Sequence, residues 1–595
     1  MGRTVRDRVC SRSRRLLLLS TLAVLICASG PAASPDPDAS ADRLRLSSDL
    51  RIVVHRGRDV VLEVLAKAGD GYHSIARRVV GDERPAAALA AWHGERPLEA
   101  DEWVAVPMGL LSPEFRSLVL RNLFPEDRRE GGDWIHIARA GSLPTYDEGL
   151  WQVAEWFTGR GSHFTELMRV NGLTFPELRA GQEVRVPEAL LDPAFRAGMR
   201  SDDGALEFES DEQGPYAVYH LRSGEALYSA VVVRFTGRTG SDDVAELAEK
   251  IRERSRIPDL RDIPVGYAIR IPLEILEPEF LPTSHPRRLE AEARRAELDR
   301  ELRQKPVGGT RGGLEGVLVL LDPGHGGRDL GTMNNGIWEH DYVYDVACRL
   351  KRGLERHTSA EVRMTLEDKE TGCVPSSTDK LVANRQGTVL TSPPFLAREE
   401  GEAKIGVNLR WYLANSIYRQ ALRDGYDPDR VVFLSLHADA RHASLRGLMV
   451  YVPGASYRTK TYGHNSKLYR KYREVREKPH VHFSHKERVR SEAVSRKLAG
   501  AIVESYRRER LAVQPYQPVR NKVIRGRHKW VPAVLRGNAV PNKVLVEMVN
   551  LSNAEDAATL ASARQRDRLA EGLLQSLYRY FGELPADMAS AATAD

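Results

Sequence analysis

The chain has few cysteines and only one long apolar run. Of the four cysteines among 595 residues, only Cys348 and Cys373 lie beyond the first thirty positions. This excludes a disulfide-rich scaffold and leaves open whether these two cysteines form one bridge. The apolar run at 16–28 is too short to span a bilayer. With 42% hydrophobic and 29% charged residues, the remaining chain is predicted to be globular, with no stable membrane span.

The chain also carries little net charge. A formal charge of +6 is small for this length, so charge gives no reason to expect a nucleic-acid partner. At roughly 100–200 residues per domain, the length predicts about three to five compact units.

The N-terminus is typical of an export signal, which we place at residues 1–33. Six arginines precede the apolar run, and small residues follow it. The segment 13–19, SRRLLLL, resembles a twin-arginine export signal, although an ordinary positively charged leader has a similar pattern. We therefore expect an exported protein and leave the route open.

The first half of the chain contains an internal repeat. Three similar segments recur at intervals of about 80 residues: VPMGLLSPEFR at 106–116, VPEALLDPAFR at 186–196 and IPLEILEPEFL at 271–281. Each closes a unit with a Gly turn, two helical stretches and a short strand. We place these units at 52–116, 132–196 and 214–281.

The repeats resemble the lysin motif, a small α+β module of βααβ order that binds the N-acetylglucosamine-containing glycan of peptidoglycan or chitin. Asn171 stands where that motif has an asparagine, whereas the first copy has Trp92-His93-Gly94 and the third carries a charged insertion at 245–255. The sequence leaves two alternatives open: modules that bind glycan, and spacers that no longer do so.

A charged stretch follows the repeats. Residues 286–305 are mostly Arg, Glu, Ala and Leu, and GGTRGG follows at 308–313. This pattern predicts a solvated helix and a Gly-rich hinge, together spanning 283–313.

Beyond the hinge, residues 314–582 have the pattern of an α/β domain with a largely parallel sheet flanked by helices. Three apolar segments predict buried strands: 317–321, 431–436 and 543–548. His325 follows the first, His437 follows the second, and Glu547 lies at the end of the third. Because the carboxyl ends of parallel strands meet in one crevice, these three side chains are expected to share a site.

Two histidines and a carboxylate at one sheet edge indicate a zinc centre. A catalytic zinc typically has three protein ligands, so a further ligand is needed beside the two histidines. Glu339, at the start of an amphipathic helix, is the best candidate. The neighbouring His340 would point about 100° away on that helix. The sequence therefore predicts a Zn²⁺ site.

In order, LLDPGHGGRDLGT, WEHDYVYDVA, LSLHADA and VLVEMVNLSN resemble the motifs of zinc-dependent N-acetylmuramoyl-L-alanine amidases of the Amidase_3 type. The resemblance spans about 316–580. It implies a hydrolase of peptidoglycan in the cell envelope, with the periplasm as the expected compartment. It also implies His325, Glu339 and His437 as the metal ligands and Glu547 as the catalytic residue.

Some features depart from that family's pattern. Thr365-Leu366 stands where the family commonly has Thr-Arg, and a basic, His-rich stretch occupies 453–490. We favour a basic surface that faces acidic muropeptide for this stretch. The alternative is a lid in which Glu474 covers the zinc until a protein activator displaces it.

Two other functions stay open at the level of sequence. One is an inactive peptidoglycan-binding tether or regulator, and the other is a zinc peptidase that cuts within the stem peptide.

Overall fold

The structure is a computed structural model that describes residues 41–55, 60–80, 83–138, 149–192, 195, 199–200, 205–305, 314–334 and 336–582. The predicted signal peptide at 1–33 and the Gly-rich hinge at 308–313 lie outside the described residues. Among the helices that are described, none is both long and apolar enough to cross a membrane.

The N-terminal half contains three successive units of strand, helix, helix and strand. In each unit the first and last strands pair antiparallel, as β3 with β4, β6 with β7, and β10 with β11. The relation of these units to the lysin motif stays a prediction. Their strands are β1 Ala41–Arg45, β2 Leu50–His55, β3 Val60–Leu65, β4 Trp103–Pro107, β5 Arg128–Glu130, β6 Asp133–Ile137, β7 Glu183–Val186, β8 Met199–Arg200, β9 Glu207–Asp211, β10 Gly214–His220 and β11 Ala268–Pro272. Their helices are α1 Tyr72–Val79, α2 Ala86–Trp92, α3 Pro113–Leu123, α4 Gly149–Thr158, α5 Phe164–Asn171, α6 Arg234–Thr236, which continues a π-helical segment Leu227–Val233, and α7 Ser241–Ser255.

The charged stretch forms helix α8, Pro286–Gln304. One of its faces packs against the C-terminal domain, where Leu298 joins a small apolar cluster with Val489 and Ala493. His485 also lies 2.8 Å from the Glu297 carboxylate. The prediction of a solvated helix is therefore wrong for this face, because scattered leucines meet a complementary surface.

The C-terminal domain is built on a six-stranded sheet in the order β15-β12-β18-β25-β19-β22. Four neighbouring strands, β15, β12, β18 and β25, run parallel, and β19 joins β25 antiparallel. The strands are β12 Leu318–Asp322, β13 Met333–Asn334, β14 Ile337–Trp338, β15 Glu361–Met364, β16 Leu366–Asp368, β17 Gly387–Val389, β18 Val431–His437, β19 Met449–Tyr451, β20 Thr461–Gly463, β21 His480–His482, β22 Val519–Arg520, β23 Val523–Arg525, β24 His528–Trp530 and β25 Asn542–Glu547. The helices are α9 Glu339–His357, α10 Ala403–Arg423, α11 Lys467–Arg470, α12 Arg473–Glu477, α13 His485–Arg508, α14 Ala533–Arg536, α15 Ala554–Ala561 and α16 Ala563–Phe581.

Helices cover both faces of this sheet, which explains why its central strands are apolar along their whole length. Alternate residues of β12, such as Val319 and Leu321, pack in one core with α9, α13 and α16. The intervening Leu318 and Leu320 pack in a second core with α10 and α14. The three predicted strands and the largely parallel sheet are confirmed, and each strand lies within one residue of its expected bounds.

Candidate metal centre

The carboxyl ends of three parallel strands place the predicted residues at one edge of the sheet. Asp322 at the end of β12 lies opposite Ser435 of β18, and His437 at the end of β18 lies opposite Glu547 of β25. The register therefore makes neighbours of two residues that are 110 positions apart in sequence.

His325 reaches this edge from the glycine turn after β12. Gly324 has a φ of +72°, and a Cβ added there would lie 2.8 Å from the carbonyl oxygen of Leu436. Only glycine fits both the left-handed backbone and the close approach to β18. Asp329 accepts from Nδ1 of His325 at 2.8 Å, so Nε2 is turned inward, 3.3 Å from the Glu339 carboxylate.

Glu339 is the first residue of α9 and is only 2% exposed. Its carboxylate accepts hydrogen bonds from the backbone amides of Ala438 at 3.0 Å and Thr332 at 2.8 Å. It also lies 3.0 Å from Nδ1 of His437. These contacts fix the carboxylate between the two imidazoles.

Together, His325, Glu339 and His437 offer three ligand atoms that all lie within 4.8 Å of one another. In addition, Nε2 of His437 is buried and has no hydrogen-bond partner among the described residues. Two imidazoles and one carboxylate are a donor set that zinc takes readily. The residues present therefore fit a zinc ion, and their assignment as ligands stays a prediction.

Electrostatics at this edge favour a cation. Burial opposes a proton on His325, but the carboxylates of Glu339 and Asp329 outweigh it and raise the pKa of this imidazole to about 10. Burial also opposes the charged form of Glu339, yet the two imidazoles hold its pKa well below the usual range. The negative charge of these carboxylates, which attracts a proton here, would equally attract a metal ion.

Glu547 differs from Glu339 in its surroundings. Burial raises the pKa of its carboxyl well above the usual range; Asp439 adds to this shift, and Arg441 opposes it. Oε2 of Glu547 is buried without a hydrogen-bond partner among the described residues. A carboxylate in this position is suited to accept a proton from a neighbouring molecule.

His340 is not part of the group, in agreement with the preference for Glu339. Its ring packs beneath Gly387, where an added Cβ would lie 2.7 Å from Cε1 of His340. Burial lowers the pKa of this imidazole to about 4. His340 is therefore a neutral packing residue.

Asp322, at the end of β12, is hydrogen-bonded to residues other than the predicted ligands. Its buried carboxylate accepts from Arg410 at 2.8 Å, Thr365 at 2.5 Å and Ser435 at 2.6 Å. It thus joins β12, β18 and α10. Leu366, which follows Thr365, is fully buried against Gly326.

Three residues near the site were missed by sequence reasoning: Asp329, Asp439 and Arg441. Asp329 had a usable signal, since it lies four residues after His325 and metal-binding histidines commonly donate to a carboxylate. Asp439 and Arg441 form an ion pair in the loop after His437, and no sequence pattern marks that pair.

The structure also settles the two cysteines and the 453–490 insertion. Cys348 of α9 and Cys373 form a disulfide.

The insertion contains the β20–β21 pair with α11 and α12 between its strands. Glu474 is fully buried, and its carboxylate accepts from the backbone amide of Ser392 at 3.1 Å. The role considered for Glu474 as a cover of the metal is therefore wrong for this conformation, because the carboxylate is held elsewhere.

Part of the chain is similar to known proteins. A relative, the germination-specific N-acetylmuramoyl-L-alanine amidase of Bacillus subtilis strain 168, is 30% identical over 111 residues, which are 18% of this chain and 46% of the relative. The chain thus spans about half the length of the curated relative that it matches. Among solved structures, Ami1 from Mycobacterium smegmatis is 17% identical, with 45% of this chain and 98% of that chain covered and a TM-score of 0.28. AmiC2 of Nostoc punctiforme is 18% identical, with 46% and 100% covered and a TM-score of 0.26.

A family model matches the C-terminal domain of the chain. The matched residues, 319–392 and 396–579, contain His325, Glu339, His437 and Glu547. The region that holds the candidate site therefore matches the family of N-acetylmuramoyl-L-alanine amidases, Amidase_3.

Proposed function

We propose that this protein is an N-acetylmuramoyl-L-alanine amidase that hydrolyses peptidoglycan. The bond cleaved joins the lactyl carbonyl of N-acetylmuramic acid to the amino group of L-alanine. The observation that carries the proposal is the convergence of three ligand atoms within 4.8 Å, with Glu547 paired beside His437, inside the region that matches this family.

In this proposal His325, Glu339 and His437 hold a zinc ion. When bound, zinc supplies Lewis-acid polarisation of the amide carbonyl and activation of a water molecule. Asp329 keeps His325 in the orientation that turns Nε2 inward. The backbone amides of Ala438 and Thr332 keep the Glu339 carboxylate in place.

Glu547 transfers a proton from the attacking water to the leaving group. Its carboxylate takes a proton from the attacking water and passes it to the departing amine of L-alanine. Burial makes this carboxylate a stronger base than an exposed glutamate, because it raises the pKa. The water oxygen bonds to the lactyl carbon as the C–N bond breaks, so the products are a free lactyl carboxyl and a free stem peptide.

The insertion supplies a surface for the acidic substrate. Its exposed charged side chains are mainly basic: Glu477 and Glu487 are acidic, and the basic ones are Lys460, Lys467, Arg470, Lys471, Arg473, Arg476, Lys478 and Lys486. This pattern supports a basic surface that faces muropeptide. The alternative for the insertion is a lid that a protein activator displaces. Export to the periplasm and glycan binding by the N-terminal modules stay predictions from the sequence.

Digestion of purified peptidoglycan tests the function. Zinc-loaded protein should release intact stem peptides with a free L-alanine amine, identified by mass spectrometry, and chelation followed by zinc addition should stop and restore the release. Fragments cut within the stem would indicate a peptidase instead. Absence of any release by the zinc-loaded protein would indicate a binding protein.

A further inference from the structure

The third module contacts the loop that leaves the candidate site. We call residues 438–447, which directly follow His437, the 438–447 loop. The backbone amide of His442 donates to the carbonyl of Thr239 at 3.0 Å. The ring of Tyr228 lies 4.8 Å from that of His442, with an interplanar angle of 31°. Leu445 is 1% exposed and packs in the apolar core of the N-terminal modules.

The other side of the same loop is held by the C-terminal domain. Asn550 accepts from the amide of Arg441 at 2.9 Å and donates to the carbonyls of His442 at 3.0 Å and Leu445 at 2.8 Å. The loop is therefore fixed between Asn550 on one side and the third module on the other. The C-terminal domain also holds both ends of the loop, where Glu339 accepts from the amide of Ala438 at 3.0 Å and Asp556 from the amide of Gly447 at 2.6 Å. The third module contacts the middle of the loop, at His442 and Leu445.

The loop begins beside the segment that follows Glu547, because the backbone amides of Met548 and Leu551 donate to the carbonyls of His437 and Asp439, each at 2.9 Å. Asp439 and Arg441 form an ion pair, and the guanidinium of Arg441 lies 5.9 Å above the ring of Tyr451. Tyr451 lies on β19, which pairs with β25, the strand that ends at Glu547. A shift of this loop would therefore move charge next to the group that handles the proton.

The docking of the third module is not limited to the loop. Arg520 donates to the carbonyl of Gly237 at 2.8 Å, and the amide of Gly526 donates to Asp243 at 3.0 Å. These contacts hold the module segment 237–243, which includes Thr239, against the C-terminal domain on both sides. The carbonyl that meets His442 is thus fixed in position.

We propose that the third module is a positioning element of the hydrolytic site, with Tyr228 as its positioning residue. Through Tyr228 and the carbonyl of Thr239, the module holds the 438–447 loop and so keeps Asp439 and Arg441 beside Glu547. This inference rests on the proposed function. It assigns the third module a part in catalysis that does not depend on glycan binding.

The test uses Tyr228→Ala in the full chain with a soluble N-acetylmuramoyl-peptide that is too small to reach the modules. Because Tyr228 is half-buried at the contact, its truncation should leave the fold and the zinc content unchanged. We expect kcat to fall about tenfold while KM stays within about twofold, since misplaced charge affects the chemical step. Tyr228→Phe, which keeps the ring, should restore kcat.

Tyr72→Ala is the matched control. Tyr72 stacks on His93 in the first module, with ring centroids 5.8 Å apart and an angle of 28°, so the same kind of contact is lost away from the site. Its kcat should equal that of the unaltered protein. Equal kcat values for Tyr228→Ala and Tyr72→Ala would overturn the inference, as would a loss of zinc in step with the loss of activity.

A second readout does not require hydrolysis. Amide hydrogen exchange at residues 438–447 should be faster in Tyr228→Ala and unchanged in Tyr72→Ala. Unchanged exchange in Tyr228→Ala overturns the inference even if the protein hydrolyses peptidoglycan. Conversely, faster exchange in a protein that releases no stem peptide refutes the proposed function and leaves the contact between module and loop established.

Discussion

Two buried glutamates at one sheet edge have opposite environments, and this difference assigns their roles. Glu339 is surrounded by two imidazoles and two backbone amides, which favour its charged form. Glu547 has no hydrogen-bond donor at Oε2 among the described residues, and burial raises its pKa. A ligand needs the first environment, whereas a group that accepts and returns a proton needs the second.

The substitution Glu547→Gln tests this assignment. An amide cannot take the proton, so turnover should fall by about 10²–10⁴-fold, while the zinc content should not change. Because burial penalises the charged carboxylate, the variant should unfold at the same or a higher temperature at pH 7. The measurements are stem-peptide release, zinc content and thermal unfolding.

Glu555→Gln is the control for that experiment. Glu555 pairs with Arg446 on the surface, where the two side chains are 68% and 50% exposed, and its loss should leave activity unchanged. A Glu547→Gln protein that lost its zinc would instead make Glu547 a ligand.

At the scale of single residues, the sequence predicted the candidate ligands and Glu547 but not the charged residues around them. His325, His437 and Glu547 could be found because each follows a buried strand, and parallel strands bring their ends together. Asp439 and Arg441 could not, because their position depends on how the 438–447 loop is held. That loop is fixed by Asn550 and by Thr239, which are distant in sequence and belong to different parts of the molecule.

Among the elements, the glycine turn after β12 sets the distance between His325 and β18. Substitution of Gly324 by alanine should displace this turn, since the new Cβ would lie 2.8 Å from the Leu436 carbonyl oxygen and 3.1 Å from the His437 ring. We expect zinc affinity to fall by at least about tenfold, as in other sites whose ligands lose their supports. Competition with a chromogenic chelator measures the affinity.

Gly336→Ala separates steric contact from backbone strain. Gly336 also has a positive φ, +73°, but an added Cβ would meet no atom within 4 Å. This variant should lose only about 1 kcal/mol of stability and keep its zinc affinity. Equal losses of affinity in both variants would mean that the close approach to β18 is unimportant.

The strands of the C-terminal domain were easier to predict than the insertion. A strand covered on both faces has an apolar sequence wherever it occurs, as β12 and β18 show. The insertion has no such pattern, and its position depends on particular contacts. One is the hydroxyl of Tyr412, which donates to the carbonyl of Pro479 at 2.5 Å and accepts from the amide of His464 at 2.7 Å. Another is the buried carboxylate of Glu474.

For the whole molecule, the sequence predicted separate modules, a solvated helix and a hinge, whereas the third module and α8 pack on the C-terminal domain. The contact between the third module and the C-terminal domain is made by single side chains from distant segments. Examples are Lys522 with Glu277, and Gln517 with Glu279. Such pairs leave no periodic pattern in the sequence, so composition alone suggested independence.

If this packing stabilises the molecule, removal of the buried charge of Glu277 should weaken both parts together. Glu277 pairs with Lys522, and the two side chains are only 10% and 11% exposed. Glu277→Gln leaves the lysine without its partner carboxylate in a buried position, which should cost about 3 kcal/mol. We expect a lower urea midpoint for unfolding of the whole chain.

The matched control is Glu274→Gln in the same module. Glu274 lies 2.9 Å from Lys250 in a surface pair whose side chains are 62% and 49% exposed, so its loss should cost less than about 1 kcal/mol. Calorimetry of both variants shows whether the third module and the C-terminal domain unfold together or separately. A single transition in the unaltered protein that splits into two in Glu277→Gln would show that the third module and the C-terminal domain unfold as one unit through this interface. Equal midpoints for the two variants would show that the interface contributes nothing to stability, and the third module would then be a tethered domain, as the sequence suggested.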